Sequence, residues 1–254
     1  MRGTGRSPSA GGPAAADTSR AQEALRAVET EPGGSALGAL LLPPAPTTLV
    51  VLADEPLRGR PIPAGVWVAS RARILRLIEG PLDAARRALA TAAVVADPAG
   101  EMASIIARAK EVPDAVREPR MRVHYFEVTR LMKRVDSADR RGKAEVARLL
   151  RAQLVTAASK LLFLERREWP APLDVMLDEL GRHAALAPLA ERLAQVVSAP
   201  APRDLRKLRG ALDEYLVASG VDFVKAPTEI WDYLMFTDAG QAALDTWGGE
   251  AVRR

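Results

Sequence analysis

The sequence predicts an α+β protein in which a small mixed-sheet domain is followed by an α-helical bundle. Short apolar runs with β-branched members, separated by Gly and Pro, occur in the first hundred residues and predict strands between short helices. After Gly100 the apolar residues recur at three- and four-residue intervals, which is typical of amphipathic helices. We therefore predict an α/β domain over residues 19–100 and a helical domain over residues 101–254.

The tail and the first domain are predicted from composition and periodicity. Residues 1–18 consist mainly of Gly, Ser, Pro, Ala and Arg, too few large apolar groups to offset the entropy of ordering, so we expect a disordered tail. Apolar runs predict strands, and amphipathic spacing predicts helices. The predicted strands cover residues 49–53, 65–69 and 92–96, and the predicted helices cover residues 21–30, 71–78 and 82–89.

In the second domain, helices are predicted over residues 101–110, 114–135, 142–167, 173–180, 188–197, 204–218 and 228–235. The longest, over residues 142–167, is expected at the centre of the bundle, and Pro119 is tolerated if it lies in the first turn of its helix. The long helix carries an apolar stripe at helical spacing, formed by Val146, Leu149, Leu150, Leu154, Ala157, Ala158, Leu161 and Leu162.

Composition excludes several classes of function. The 254 residues are 48% hydrophobic and 27% charged, as in ordinary globular proteins, and no apolar run approaches the roughly 20 residues that span a bilayer. The amino-terminal residues lack a signal-peptide core, so we expect a cytoplasmic protein with no membrane partner. With no cysteine and two histidines, the chain has no thiolate site or disulfide and little material for a zinc site.

The basic balance does not by itself indicate nucleic-acid binding. The formal net charge is +4 and the isoelectric point is about 9.7, but acidic residues alternate with basic ones along the helical half. Such alternation is typical of solvated helix faces, whereas a phosphate-binding stripe is more one-sided. Aromatic residues make up only 4% of the chain, which leaves few rings for base stacking.

Three segments carry a family resemblance. They are residues 97–106, beginning Asp97-Pro-Ala-Gly-Glu-Met; the helical His124-Tyr-Phe-Glu127; and residues 161–170, ending Glu168-Trp-Pro170. Over roughly residues 20–235 the chain resembles two-domain nucleotidyltransferases of the aminoglycoside- and lincosamide-modifying type. The resemblance implies a polymerase-β-like first domain that holds a nucleoside triphosphate and Mg²⁺, and a helical domain that closes over the acceptor molecule.

That family's motif is Gly-Ser, about ten further residues, Asp-x-Asp on a strand, and a third acid on the neighbouring strand. Gly34 and Ser35 match the Gly-Ser element and are the candidate nucleotide-binding residues. The metal-binding positions then fall on residues 46–48 and 64–66, which contain no carboxylate. Because Mg²⁺ requires oxygen ligands, preferably anionic, we expect no metal ligands and no cofactor in this chain.

Three functions remain open. The first is a degenerate nucleotidyltransferase-like protein, or pseudoenzyme, that binds a small molecule or a protein partner in its interdomain cleft. The second is an active nucleotidyltransferase that uses Mg²⁺ and a nucleoside triphosphate, with Asp54 and Glu55 as metal ligands. The third is metal-free acid–base chemistry on a natural product, with Glu145, Glu165 or His124 as catalytic group.

The carboxy-terminal stretch over residues 221–247 is rich in large apolar side chains. It either seals the bundle, which we favour, or forms a homodimer interface. Large rings usually serve as anchors in a core or an interface, and this role is assigned to Trp67, Trp169, Trp231 and Trp247.

Overall fold

The computed structural model describes residues 19–20, 22–26, 36–42, 48–53, 66–80, 82–198 and 202–248. The chain divides into two compact units, Met1–Lys110 and Glu111–Arg254. The first contains the sheet and the second is helical, which confirms the predicted α+β class. The division follows residue 110 rather than residue 100, because Met102 and Ile105 of the intervening helix belong to the same core as Leu40 of the sheet.

The described part of the first unit contains a four-stranded mixed sheet in the order β3-β2-β1-β4. Strand β1 pairs antiparallel with both β2 and β4, and β2 pairs parallel with β3. Residues 19–20 and 22–26 are helical, within and just before the helix predicted there. The elements are β1 (Ala36–Leu42), β2 (Thr48–Ala53), β3 (Val66–Ser70), α1 (Arg71–Glu79), α2 (Asp83–Ala90), β4 (Ala93–Ala96) and α3 (Glu101–Lys110).

Strand β1 was not predicted, because it consists of Leu, Ala and Gly without a β-branched residue. Pairing on both edges places it inside the sheet, where Ala39 and Leu40 are buried. Gly38 is required by close packing, since a Cβ there would lie 2.5 Å from the Ala96 carbonyl oxygen and 2.6 Å from Met102 Cγ. The glycine therefore lets helix α3 approach the sheet closely.

Helix α3 begins with a side-chain cap from Asp97. Its carboxylate accepts hydrogen bonds from the backbone N–H groups of Met102 at 3.0 Å and Ala103 at 2.9 Å. These are donors of the first helical turn, which have no partner within the helix. The segment that begins at Asp97, one of the three that carry the family resemblance, thus has a structural role in this chain.

The second unit is a helical bundle around one apolar core, in which Leu154, Leu161 and Phe163 are fully buried. Its helices are α4 (Asp114–Arg140), α5 (Ala144–Glu165), α6 (Met176–Arg182), α7 (Ala187–Ser198), α8 (Pro202–Ala218), α9 (Pro227–Phe236) and α10 (Asp238–Trp247), with a 3₁₀ turn at Asp222–Lys225. Pro119 lies in the second turn of α4, not the first, and so removes one helical hydrogen bond. None of the described helices has the length and apolar character needed to cross a membrane.

The apolar stripe predicted on the long helix is correct except at its start. Val146 and Leu149 are 45% and 65% exposed, so their assignment to the core was wrong. The buried face instead uses Ala147 and Arg151, one and two positions further on. Arg151 donates to both carboxylate oxygens of Asp139 at 2.7 and 2.6 Å, so its charge is compensated at the edge of the core.

The carboxy-terminal helices pack onto the bundle through one face. Ile230, Leu234 and Ala243 are buried in the same core as α4 and α5. Trp231 and Phe236 are 40% and 77% exposed, so they do not contribute fully to that seal. Trp169 is buried, as expected of an anchor, and homodimer formation remains a prediction.

Candidate functional site

Two of the positions predicted for metal ligands, residues 48 and 66, lie at the starts of neighbouring strands. Thr48 begins β2 opposite Leu42 of β1, and the adjacent Leu49 pairs with Val66 at the start of the parallel strand β3. Residues 46–47 and 64–65 are outside the described residues, and none of the six motif positions carries an acid. The side chains at this edge do not fit a Mg²⁺ ion.

The Gly-Ser element directly precedes strand β1 in the sequence. Gly34 and Ser35 lie outside the described residues, but β1 starts directly after them at Ala36, which pairs with Ala53 at the opposite end of β2. Strand β1 then runs to Leu42 beside Thr48, a path of about 20 Å at roughly 3.3 Å per residue. Gly34-Ser35 and residues 46–47 lie outside the described residues, so their assignment to one nucleotide site stays a prediction.

The alternative ligands, Asp54 and Glu55, also lie outside the described residues. They follow Ala53, which pairs with Ser70 at the end of β3. Ser70 is the N-cap of α1, and its hydroxyl accepts a hydrogen bond from the Arg73 backbone N–H at 3.3 Å. The neighbouring strand thus ends in a neutral oxygen that already has a partner, not in a third carboxylate. Within the described chain, no three His, Asp or Glu side chains are grouped so as to hold a metal ion.

The candidate catalytic residues do not form one constellation. Glu145 lies in the first turn of α5 and Glu165 is its last residue, about 30 Å away at 1.5 Å per residue. The Glu145 carboxylate is exposed and forms an ion pair with Arg148 one turn along. This arrangement is typical of a solvated helix face.

His124 is enclosed in the bundle at 1% exposure. Its Nδ1 lies 3.2 Å from Glu127 Oε2, and because a carboxylate only accepts, Nδ1 carries the proton. Nε2 has no hydrogen-bond partner among the described residues. Burial lowers the pKa of His124, and the nearby charges of Arg120 and Lys160 lower it further against the opposing effect of Glu127. A neutral, enclosed imidazole is a structural element of the bundle rather than a group that meets a ligand.

A cavity of about 280 Å³ lies beside the His124–Glu127 pair and is lined by Glu127, Lys160 and Trp247, among others. The Arg120 guanidinium lies over the Trp247 ring at 5.2 Å and over the Trp169 ring at 5.7 Å. These contacts join α4, α10 and the segment after α5 by cation–π packing. His124 itself does not line the cavity.

Glu165 does line a pocket. The Tyr215 hydroxyl donates to Glu165 Oε2 at 2.6 Å, which joins the end of α5 to α8. Burial and this hydrogen bond raise the pKa of Tyr215 to about 12, so the phenol remains protonated and remains a donor at neutral pH. Oε1 of Glu165 accepts no hydrogen bond from the described chain. Among the three candidates, Glu165 is the one that lines the cavity described next.

This cavity, which we call the arginine pocket, has a volume of about 490 Å³ and lies entirely within the second unit. That volume is within the range of small-molecule sites. Three guanidinium groups and three carboxylates take part in its walls. The lining residues are Arg117, Glu118, Met121, Arg122, Glu165, Arg167, Ser219, Gly220, Val221, Asp222 and Phe223.

The three arginines differ in their partners. Arg117 and Arg167 both pair with Asp114, at 3.0 Å each, and these bonds hold the pKa of Asp114 below its usual value. Arg122 instead lies over the Phe223 ring at 5.2 Å and the Tyr233 ring at 5.0 Å. Its guanidinium forms no ion pair with any carboxylate of the described chain. Arg122 is thus a cation in the pocket wall that is held by rings rather than by an acid.

Arg167 has an unusual backbone conformation. Helices α4 and α8 are followed by Gly142 and Gly220 in the left-handed region, at φ +68° and +82°. In each case the N–H of the next residue donates a hydrogen bond to the carbonyl oxygen five residues before it. Helix α5 ends in the same way, with Glu168 N–H bonding to the Phe163 carbonyl, but the left-handed residue is Arg167 at φ 59°. For a residue with a Cβ this conformation costs roughly 1–2 kcal/mol.

The arginine pocket was not predicted from the sequence. Its residues come from α4, the end of α5 and the turn after α8, so their proximity depends on helix packing that no local pattern encodes. One signal was available: the sequence after the long helix reads Glu165-Arg-Arg-Glu168, with no glycine where a helix commonly ends.

Comparison with known proteins gives distant similarities. A family model described as a domain of unknown function, DUF4037, matches residues 84–173, which is less than half of the chain. The crystal structure of a nucleotidyltransferase-like protein from Exiguobacterium sibiricum 255-15 is similar at 13% sequence identity and a TM-score of 0.45, covering 88% of this chain and 78% of that one. No curated protein matches the chain.

Proposed function

We propose that this chain is a nucleotidyltransferase-like protein that has lost metal-dependent nucleotide transfer and acts by binding a small molecule or a protein partner. The proposal combines the sequence resemblance with the geometry of the sheet. The observation that carries it is the pairing of β2 with β3, where Leu49 lies opposite Val66, and neither residue 48 nor residue 66 at these strand starts is an acid.

The physical argument concerns charge. In metal-assisted phosphoryl transfer, Mg²⁺ neutralises the developing phosphate charge and is itself held by carboxylates. Thr48 can offer only a neutral hydroxyl, and Val66 offers no oxygen beyond its backbone. A neutral donor set leaves the full charge of the ion uncompensated by the protein, so a metal-bound triphosphate is not retained at this edge.

One observation favours the second candidate, an active nucleotidyltransferase. Ala36 pairs with Ala53, so the residues that directly follow Ser35 and directly precede Asp54 meet at the same end of the sheet. Against this, adjacent residues of an extended chain direct their side chains to opposite faces. Asp54 and Glu55 therefore bind one ion together only if the chain turns there, and Ser70 supplies no third acid.

Isothermal titration calorimetry with Mg·ATP separates the two candidates. We expect no heat of binding that depends on Mg²⁺, and no pyrophosphate release from any of the four nucleoside triphosphates. The matched variant is D54N/E55Q, which removes both charges with little change in shape. Magnesium-dependent binding by the wild type that is lost in D54N/E55Q would establish the second candidate and overturn the first.

A further inference from the structure

We propose that the arginine pocket is a binding site for a small molecule that presents an oxyanion, either a carboxylate or a phosphate, to Arg122 and a hydroxyl group to Glu165. This inference goes beyond the proposed function, because the pocket lies wholly in the second unit and does not depend on nucleotide transfer. It assigns to the helical unit a ligand chemistry that the motif at the sheet does not suggest.

The charge of Arg122 supports the oxyanion. Phe223 and Tyr233 lie near the guanidinium and hold it by cation–π contacts, while no carboxylate of the described chain pairs with it. The N–H groups of a guanidinium point outward in its plane, away from stacked rings, and match the two oxygens of a carboxylate or phosphate. The aromatic contacts thus orient a donor fork at a cavity in which the other two arginines already share Asp114.

Glu165 supports the hydroxyl. Tyr215 donates to one carboxylate oxygen and leaves the other, Oε1, without a donor from the described chain. Because Tyr215 remains protonated at neutral pH, it fixes the orientation of the carboxylate rather than competing for a ligand's proton. An ionised carboxylate oxygen only accepts hydrogen bonds, so a ligand hydroxyl that donates one is the complementary group.

Arg167 gives an independent reason to expect a ligand. Two other helices of the same unit end at a left-handed glycine, Gly142 and Gly220, whereas α5 uses an arginine with the same hydrogen-bond pattern. Its ion pair with Asp114 is exposed and therefore weak, so it does not explain why a strained backbone is tolerated. A side chain that adds positive charge to the pocket wall does explain it.

The test is isothermal titration calorimetry of the full chain with three probes at matched ionic strength. Glycerol 3-phosphate carries a phosphate and hydroxyls, malate carries carboxylates and a hydroxyl, and glycerol carries hydroxyls alone. We expect binding of glycerol 3-phosphate, malate or both, which identifies the oxyanion, and no binding of glycerol. Absence of binding by both anions at 10 mM, roughly the weakest affinity of interest, or equal binding of glycerol, overturns the proposal.

Variants then locate the site. Arg122→Gln is expected to lower the affinity for the anion at least about tenfold. Arg122→Lys should lower it less, because lysine keeps the positive charge but lacks the paired N–H donors of a guanidinium. Glu165→Gln should weaken binding less than Arg122→Gln does. The matched control is Arg148→Gln, which removes an exposed arginine outside the pocket and should change nothing. An Arg122→Gln variant that binds as well as the wild type contradicts the assignment.

Arg167→Gly separates binding from folding. If Arg167 is present for the ligand, this variant has an unchanged or higher melting temperature and a several-fold weaker affinity for the anion. A lower melting temperature with unchanged affinity shows instead that the contact with Asp114 is structural, and removes Arg167 from the site.

Discussion

The enclosed position of His124 predicts how stability depends on pH. In the unfolded chain its pKa is close to the ordinary histidine value of 6.5, and in the folded chain burial lowers it. Below pH 6.5 the unfolded state therefore binds more protons than the folded state. The free energy of unfolding is expected to decrease as the pH falls, from 6.5 down to the folded pKa, and to be insensitive to His124 above that window.

The magnitude follows from linkage. Each pH unit in the window costs at most about 1.4 kcal/mol, so acidification from pH 7 to 5.5 should lower the free energy of unfolding by about 1 kcal/mol. Protonation would place a second N–H at Nε2, which has no partner among the described residues, beside the charges of Arg120 and Lys160. The carboxylate of Glu127 offsets only part of this cost.

The assay is urea unfolding at pH 7 and 5.5, followed by tryptophan fluorescence. His124→Asn keeps a donor towards Glu127 but cannot gain a proton, so it should lose this pH dependence while being less stable at pH 7. His183→Gln removes the chain's other histidine, which is partly exposed beside Glu168, and serves as the control. A wild type that becomes more stable on acidification through His124 would show that the pair with Glu127 dominates over burial.

Two further substitutions test the packing. Leu154→Ala, at a fully buried position of α5, is expected to lower the free energy of unfolding by about 2–5 kcal/mol. Leu149→Ala, at a position that is 65% exposed, should change it by less than about 0.5 kcal/mol. Similar losses in both variants would contradict the assigned helix face. Asp97→Ala should lower the local stability of α3 by about 0.5–2 kcal/mol, measured by hydrogen exchange of its amides, and Asp97→Asn should cost less because it retains one acceptor.

The sequence predicted the helical half well because amphipathic spacing is a local property. It misassigned the start of α5 because Val146 and Leu149 are three residues apart and mimic a helical stripe. The true face continues through Ala147 and Arg151, and a charged residue such as Arg151 is not selected by a hydrophobicity pattern. The burial of Arg151 depends on its ion pair with Asp139 of α4, which is a tertiary contact.

The sheet shows the same limit. Strand β1 lacks β-branched residues and was interpreted only as an apolar stretch after Gly34-Ser35, although pairing on both sides makes it a strand. The strand also separates Ala36, at its start, from Thr48, which pairs with its last residue Leu42. Spacing along the chain predicts proximity only when the structure of the intervening residues is known.

The two units therefore support functional hypotheses of different strength. At the sheet, the proposal depends on the absence of Asp and Glu from residues 46–48 and 64–66. The pairing of Leu49 with Val66 shows that residues 48 and 66 lie at neighbouring strand starts. In the helical unit, the inference depends on groups that are present: Arg122 in contact with two aromatic rings, Glu165 oriented by Tyr215, and Arg167 in a conformation that usually selects glycine. Because the two sites share no residue, ligand binding at the arginine pocket can persist whether or not the sheet unit has lost its reaction.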